Sequence, residues 1–289
     1  MFNILVTGSN GQVGSEIKEL SIHYPYTFYF TSKDDLDITN EKAIEAFILK
    51  NNITAIINCA AYTAVDKAES EIDLADKINH QAVFYLASIA KEKNIKLIHI
   101  STDYVFDGTN YKPYIETDST NPQSVYGKTK LDGEKALQIM NPTNSIIIRT
   151  SWVYSSYGNN FVKTMLRLGK ERNSLGVIYD QVGSPTYAKD LAKTILDILP
   201  KINNMQTEVY NYSNEGVCSW YDFAKEIMKM AKLPCKINSI ETLDYPTPAK
   251  RPHFSLLNKA KIKNEFGIEI PYWKDSLEHC LKKINVNDK

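Results

Sequence analysis

Seven residues near the amino end, Gly8-Ser9-Asn10-Gly11-Gln12-Val13-Gly14, constrain this chain more than any other feature. They follow a short apolar run, Phe2 to Thr7, and lead into a helical pattern from Gly14 to Ile22. Gly8 permits a tight turn that a Cβ would obstruct. Gly11 lets the backbone approach a pyrophosphate, and Gly14 lets helix and strand pack closely. A helix start placed there offers unpaired N–H groups and partial positive charge to phosphates. Glycine spacing alone is a weak signal, and the strand–loop–helix setting is the context the motif requires. The expected ligand is a dinucleotide.

The pattern continues in kind. Thr27 to Thr31, Ala55 to Cys59, Lys96 to Ile100 and Ser145 to Ile148 read as further strands. Between them lie helical patterns: one capped by Thr39 or Asn40, one through Val83, Leu86, Ala87 and Ala90, and one from about Ser124 to Met140. Such alternation predicts an α/β protein with a Rossmann-type doubly wound parallel sheet. The second half is less regular, with helices at Phe161 to Leu168, Ala188 to Leu199 and Trp220 to Ala231, and a strand at Val209 to Tyr212. We expect residues 1–153 to form the dinucleotide-binding part, completed by pieces of the second half. Residues 154–289 are expected mainly to form a smaller C-terminal α/β substrate lobe.

Charge excludes some partners. The chain of 289 residues has 34 Lys plus Arg against 34 Asp plus Glu, so no strong field favours nucleic acid or an anionic membrane. A phosphate-bearing ligand must then be held by a local site. No run approaches the roughly 18 apolar residues of a membrane span, and the first residues do not form a signal peptide. Cys59, Cys218, Cys235 and Cys280 are scattered without CxxC or metal-type spacing. Reduced thiols in a cytoplasmic protein, and no metal site, are the expectation.

Choice of cofactor turns on the loop after the second strand. An acidic residue there would meet the ribose 2′-hydroxyl of NAD, but the chain has Thr31-Ser32-Lys33. Lys33 suits a 2′-phosphate and so favours NADPH, with NADH also open; a solvated loop lysine is the competing reading. Asp37 and Ile38 are expected against the adenine.

Chemistry is suggested by two further stretches. Tyr126 and Lys130 stand four apart and share a helix face. A nearby cation favours the phenolate and would lower the phenol's pKa from about 10. YxxxK is common by chance on amphipathic helices. Ser101-Thr102-Asp103, however, closes the fourth strand, at the sheet edge where such folds bind ligands. There Thr102 or Ser101 can hydrogen-bond a carbonyl oxygen. A nicotinamide cofactor would supply hydride to a ketone, Tyr126 would donate the proton, Thr102 would polarise the oxygen and Lys130 would tune Tyr126. Asn79 is a candidate to hold a water between Lys130 and solvent, against the alternative of a helix-surface asparagine.

Together these stretches resemble the extended short-chain dehydrogenases, and within them the dTDP-4-dehydrorhamnose reductase family. The resemblance covers nearly the whole chain. It is carried by Thr7 to Gly14, Leu36 to Thr39, Asn58 to Glu69, Ser101 to Gly108 (STDYVFDG), Tyr126 to Lys130, Arg149 to Tyr154 (RTSWVY), Asn160 to Leu168 and Asp180 to Ala192. It implies NAD(P)H-dependent reduction of the C4 keto group of dTDP-4-dehydro-β-L-rhamnose to dTDP-β-L-rhamnose for cell-surface polysaccharide. By the resemblance, Asn10, Gln12, Val13, Ala60, Ala61 and Tyr62 line the cofactor. Thr102, Asp103 and Trp152 contact the sugar, and Arg251 lies near the nucleotide diphosphate, a role suited to a fixed bidentate cation. The family's RPxNSxLD motif is altered here, with Phe254 for the asparagine and Asn258 for the aspartate. Some relatives use magnesium at a glutamate-built dimer contact; Glu16 and Asp190 are candidates, with charged helix surface as the alternative. Magnesium and a homodimer are therefore left open. Three other readings remain: a reductase of another 4-keto-6-deoxy nucleotide sugar, a non-catalytic NADP-binding regulatory subunit, and an epimerase or dehydratase that retains its cofactor.

Overall fold

The computed structural model describes residues 2–287. Five strands arise where the apolar runs predict them: β1 (Asn3–Thr7), β2 (Thr27–Thr31), β3 (Ala55–Asn58), β4 (Lys96–Thr102) and β5 (Ser145–Thr150). Helices alternate with them: α1 (Gln12–Leu20), α2 (Glu41–Lys50), α3 (Val65–Ala68), α4 (Ile72–Asp76), α5 (Ala82–Lys93) and α6 (Val125–Met140). Asn40 caps α2, its side chain accepting from the N–H of Ala43, and Ser124 caps α6 by accepting from Gly127. A π-helical turn, Lys77–Gln81, joins α4 to α5. Such turns recur at functional sites, and this one carries Asn79.

The second half supplies β6 (Val153–Tyr154), α7 (Phe161–Glu171), β7 (Ser174–Ile178), β8 (Val182–Gly183), β9 (Thr186–Tyr187) and α8 (Ala188–Ile198). After these come β10 (Glu208–Asn211), β11 (Cys218–Ser219), α9 (Trp220–Met230), β12 (Lys236–Ile240), α10 (Ala260–Phe266) and α11 (Trp273–Asn287). The six-stranded sheet runs β10-β5-β4-β3-β1-β2, every neighbouring pair parallel. From β1 the chain goes first to β2 on one side and then crosses to β3 on the other. That reversal is the switch point at which open α/β sheets bind ligands.

Strand period sorts the core into two layers. Ile4, Val6, Ile57, Ile146 and Ile148 face α1, α8 and α10, meeting Ile17, Leu191, Ile195 and Phe266. Leu5, Ile56, Leu97 and Ile147 face the opposite way, onto Ile44 of α2, Leu86 of α5 and Leu137 of α6. A third cluster, with Phe223, Ile227, Trp273 and Leu277, unites α7, α9 and α11 with the β7–β12 pair. All four cysteines are unpaired. Among the described residues, no helix is long and apolar enough to cross a membrane.

Glu16 and Asp190 are not a charged helix surface. Glu16 is fully buried, accepting from the Ser155 hydroxyl at 2.6 Å and from Lys283 at 2.9 Å. Lys283 also reaches Glu19, so its ammonium ties α11 to α1. Asp190 accepts from Asn214 and Ser276. Among the described residues no cluster of three or more His, Cys, Asp or Glu is arranged to hold a metal ion.

Candidate active site

A cavity of about 1130 Å³ opens along the carboxyl ends of β1 to β5. Single drug-sized ligands occupy roughly 300–1000 Å³, so this cavity has room for more. At one end lie Gly8, Gly11, Gln12 and Val13, with Ser32, Lys33, Asp37 and Ile38 beside them and Ala60 and Ala61 across. At the other lie Thr102, Asp103, Tyr126, Lys130 and Trp152.

Glycine at position 8 is required twice over. Its φ is +64°, and a Cβ would fall 2.6 Å from the Ala60 nitrogen. Gly14 does not line the cavity; a Cβ there would meet the Gly8 carbonyl at 2.5 Å, so this glycine lets α1 close on the loop. No side chain caps α1, and its first turn contains no acid. Its N-terminal N–H groups are left for an anion. Lys33 is exposed, and no carboxylate pairs with it among the described residues. Asp37 accepts from the backbone and hydroxyl of Thr39, which holds its carboxyl below the usual range.

Besides Gly14, four expected contacts are absent from the lining. Asn10 is exposed beyond it. The Tyr62 ring points its hydroxyl to Glu71, at 2.6 Å. Asn79 is neither a surface residue nor at the cavity. It is 1% exposed; its oxygen accepts from the Tyr62 N–H, and its amide donates to the Tyr62 carbonyl and to Thr129. The π turn brings it there, and Gly133 leaves room for its carbonyl against α6. Arg251 grips Asp66 with two parallel bonds of 3.0 and 2.7 Å instead of standing in the lining. Phe254, in the altered motif, packs beside Tyr114 and Leu257.

At the reacting end, Gly127 allows α6 to rest on the Tyr104 carbonyl, setting Tyr126 edge-on to the Tyr104 ring. Burial drives the Tyr126 phenol up to about 12, the charge of Asp103 pushing the same way and the Thr102 hydroxyl opposing. Sequence reasoning expected Lys130 to lower this value. Instead the Lys130 ammonium donates to the Ile100 carbonyl at 2.7 Å and lies 3.3 Å from His99 Nε2. Burial brings its pKa down to about 8. Ser101 is committed to the buried Glu134 and Thr102 donates to Asp103 in the cavity lining, so Thr102 is the hydroxyl that can turn to a ligand.

Asp103 is 2% exposed; one oxygen accepts from Thr102 and the other has no partner. Burial raises its pKa from 3.8 to about 6. A carboxyl raised on folding penalises the folded state once ionised. The penalty is absent below about pH 4 and grows to about 3 kcal/mol as pH rises past 6. Asp103→Asn should therefore stabilise the protein at pH 8 and do little at pH 4. Urea midpoints at the two pH values measure this, and equal effects at both would refute it.

Trp152 has φ +49°, a strained value for a bulky residue. Its ring stacks on Trp220 at 3.6 Å between centroids, and a Cβ at Gly183 would press into it at 3.0 Å. Strain of this kind, fixed by packing, is found at ligand clamps. Sequence reasoning missed Trp220, Gly158 and Asn159, which reach the site only through the tertiary fold, and also His99 with its partner Asn58. A histidine inside the apolar run Leu97-Ile98-His99-Ile100 was the signal available.

Comparison with known proteins agrees with this geometry. The family model described as RmlD substrate binding domain matches residues 2–286. A dTDP-4-dehydrorhamnose reductase of Aggregatibacter actinomycetemcomitans is 43% identical over 96% of this chain and 98% of its own. A crystal structure of such a reductase from Clostridium acetobutylicum superposes with a TM-score of 0.94 at 42% identity, covering 98% of this chain and all of that one. Another, from Bacillus anthracis in complex with NADP, gives 0.93 at 37% identity with the same coverage. The chain belongs to the RmlD substrate binding domain family, together with the dTDP-4-dehydrorhamnose reductases it matches along its whole length.

Proposed function

We propose that this protein reduces the C4 keto group of dTDP-4-dehydro-β-L-rhamnose to dTDP-β-L-rhamnose, using NADPH, with NADH as a second donor. The observation that carries the reading is one cavity lined both by the glycine loop at the uncapped start of α1 and by Thr102, Asp103, Tyr126 and Lys130. The residues fit a dinucleotide: Gly8 and Gly11 clear the backbone for a pyrophosphate, and Lys33 offers a cation for a 2′-phosphate. Bound there, the nicotinamide supplies hydride.

The chain's own residues do the rest. Tyr126 is held protonated by burial, which is the form a general acid needs at the start of a reduction. Thr102 donates to the substrate oxygen by turning its one hydroxyl proton away from Asp103, and Asp103 accepts from a sugar hydroxyl with its unpartnered oxygen. Lys130 is the cation for the phenolate that Tyr126 becomes. Trp152, backed by Trp220, forms an apolar wall for the sugar. Arg251 binds diphosphate only by releasing Asp66. Residues 1–153 hold the cofactor and the later residues hold most of the sugar nucleotide. Four unpaired thiols support a reducing, cytoplasmic setting. A homodimer is supported by the family resemblance and is tested by sedimentation.

The deciding assay mixes purified protein with the substrate, made in situ by the upstream epimerase, and follows NADPH and NADH absorbance separately. Stoichiometric oxidation is expected. Cofactor binding without turnover would overturn the reading and bring forward another nucleotide sugar or a regulatory role. Lys33→Glu should weaken NADPH binding and leave NADH binding unchanged; equal loss for both would remove Lys33 from the 2′-phosphate.

A further inference from the structure

The backbone on both sides of Tyr126 is held by side chains from outside the start of α6. Val125 is the first residue of that helix, so its N–H has no partner within it. Ser124 caps the helix by accepting from Gly127 and does not reach the Val125 N–H. Glu69, the residue after α3, meets it, its Oε1 accepting at 2.9 Å across 56 positions of sequence. Glu69 is half-buried, and this is its one hydrogen bond among the described residues. Its charge suits the positive end of α6, whose first turn has no acid of its own. On the other side, the Tyr126 carbonyl accepts from the Thr129 hydroxyl at 3.1 Å. That hydroxyl in turn accepts from the Asn79 amide at 3.1 Å.

The two grips share one base. Asn79 also accepts from the Tyr62 N–H and donates to the Tyr62 carbonyl, and Tyr62 opens the stretch that ends at Glu69. Within that stretch Ala68 is fully buried, and Asp66 accepts from the Ala249 N–H and from Arg251. A carboxylate on a stretch anchored at three places restrains the helix it bonds. Tyr126 needs such restraint, because it is the second residue of α6, where the intrahelical ladder has not yet begun. Ser124 and the close fit of Gly127 on Tyr104 hold the inside of the turn, and Glu69 holds its leading residue. We infer that Glu69 is a positioning residue for the reduction, fixing the first turn of α6 so that the Tyr126 hydroxyl meets the substrate oxygen beside Thr102; the inference rests on reading Tyr126 as the acid. Glu69 itself touches neither substrate nor cofactor and acts only through Val125.

Misplacing a reacting group by 1 Å costs roughly 100-fold in rate. Glu69→Ala should therefore lower kcat by roughly 10- to 100-fold, with the dissociation constant for NADPH unchanged. Glu69→Gln, whose amide oxygen can accept the same N–H, should restore most of the rate. A second readout needs no turnover. In the full-length, cofactor-free protein, tyrosine labelled with ¹³C at Cζ reports the setting of Tyr126, assigned by its loss in Tyr126→Phe. That resonance should move in Glu69→Ala and return in Glu69→Gln. An unmoved resonance in Glu69→Ala overturns the inference whether or not the sugar is reduced. So does wild-type kcat in Glu69→Ala, or a loss in Glu69→Gln as large as in Glu69→Ala, since charge and not the grip would then be the cause. NADPH affinity that falls as far as kcat would mark a general loosening and also overturn it. A wild type without turnover, whose resonance moves as expected, overturns the assigned reaction and supports the hold of Glu69 on Tyr126. If Glu69→Ala fails to fold, Glu69→Asp, one methylene shorter and unable to reach Val125, takes its place.

Discussion

Tyr126→Phe is expected to lower kcat by roughly 100- to 10,000-fold, the range for loss of a positioned general acid, while the dissociation constant for NADPH stays unchanged. The ring remains and keeps its edge-on packing against Tyr104; only the proton is lost. Burial holds the phenol up to about 12 in the cofactor-free protein, so the acid form is fully present throughout the neutral range. A pH profile of kcat/KM should accordingly show no fall near pH 10 from a free phenol. Single-turnover kinetics with the variant separates chemistry from binding. Wild-type turnover by Tyr126→Phe would remove this residue from the acid role.

Arg149→Met should be the most damaging single change to stability, costing about 3–5 kcal/mol, as breaking a buried ion pair on one side does. Glu134 is fully buried and Arg149 4% exposed. The guanidinium donates from Nε to both carboxylate oxygens at 3.1 Å and from its terminus at 2.7 Å, and also reaches the Glu116 carbonyl. It lies over the Phe106 ring, 5.1 Å from the centroid. Without it Glu134 keeps only Ser101 as a donor. Denaturation by urea measures the loss. Because Glu134→Gln removes the buried charge left unpaired, combining it with Arg149→Met should recover much of the stability. A double variant as unstable as Arg149→Met alone would show that the charge left behind is not the cause.

Local pattern made much of the sheet legible. Near-continuous apolar runs at Ile4 to Val6, Ala55 to Ile57 and Ile146 to Ile148 are what a parallel strand buried on both faces needs. Such runs, alternating with 3.6-residue periodicity, specify an α/β sheet without knowledge of distant partners. The loop at Gly8 was equally legible, since a positive φ and a close backbone approach both select for glycine. Ser124 and Asn40 mark helix starts because their side chains satisfy N–H groups within the same turn.

What stayed hidden depends on residues far apart in sequence. β7 and β12 pair across some sixty positions, and each alone is a five-residue strand with only Leu175 and Val177, or Ile237, buried. α10 and α11 lie beyond Ala231, where the sequence reading named no element. Their apolar positions acquire meaning only from the surfaces they cover. Arg251 looked available for a diphosphate until the fold set Asp66 beside it. YxxxK placed Tyr126 and Lys130 on one helix face, but the lysine's partners come from β4, thirty residues earlier. Sequence periodicity determined the sheet, the glycine loop and the helix starts, because those follow from local sterics and hydrogen bonding. Tertiary structure alone decided the partners of Lys130, Arg251 and Glu16, because those partners come from elements far apart in the chain and burial and Coulomb interaction depend on distance in space.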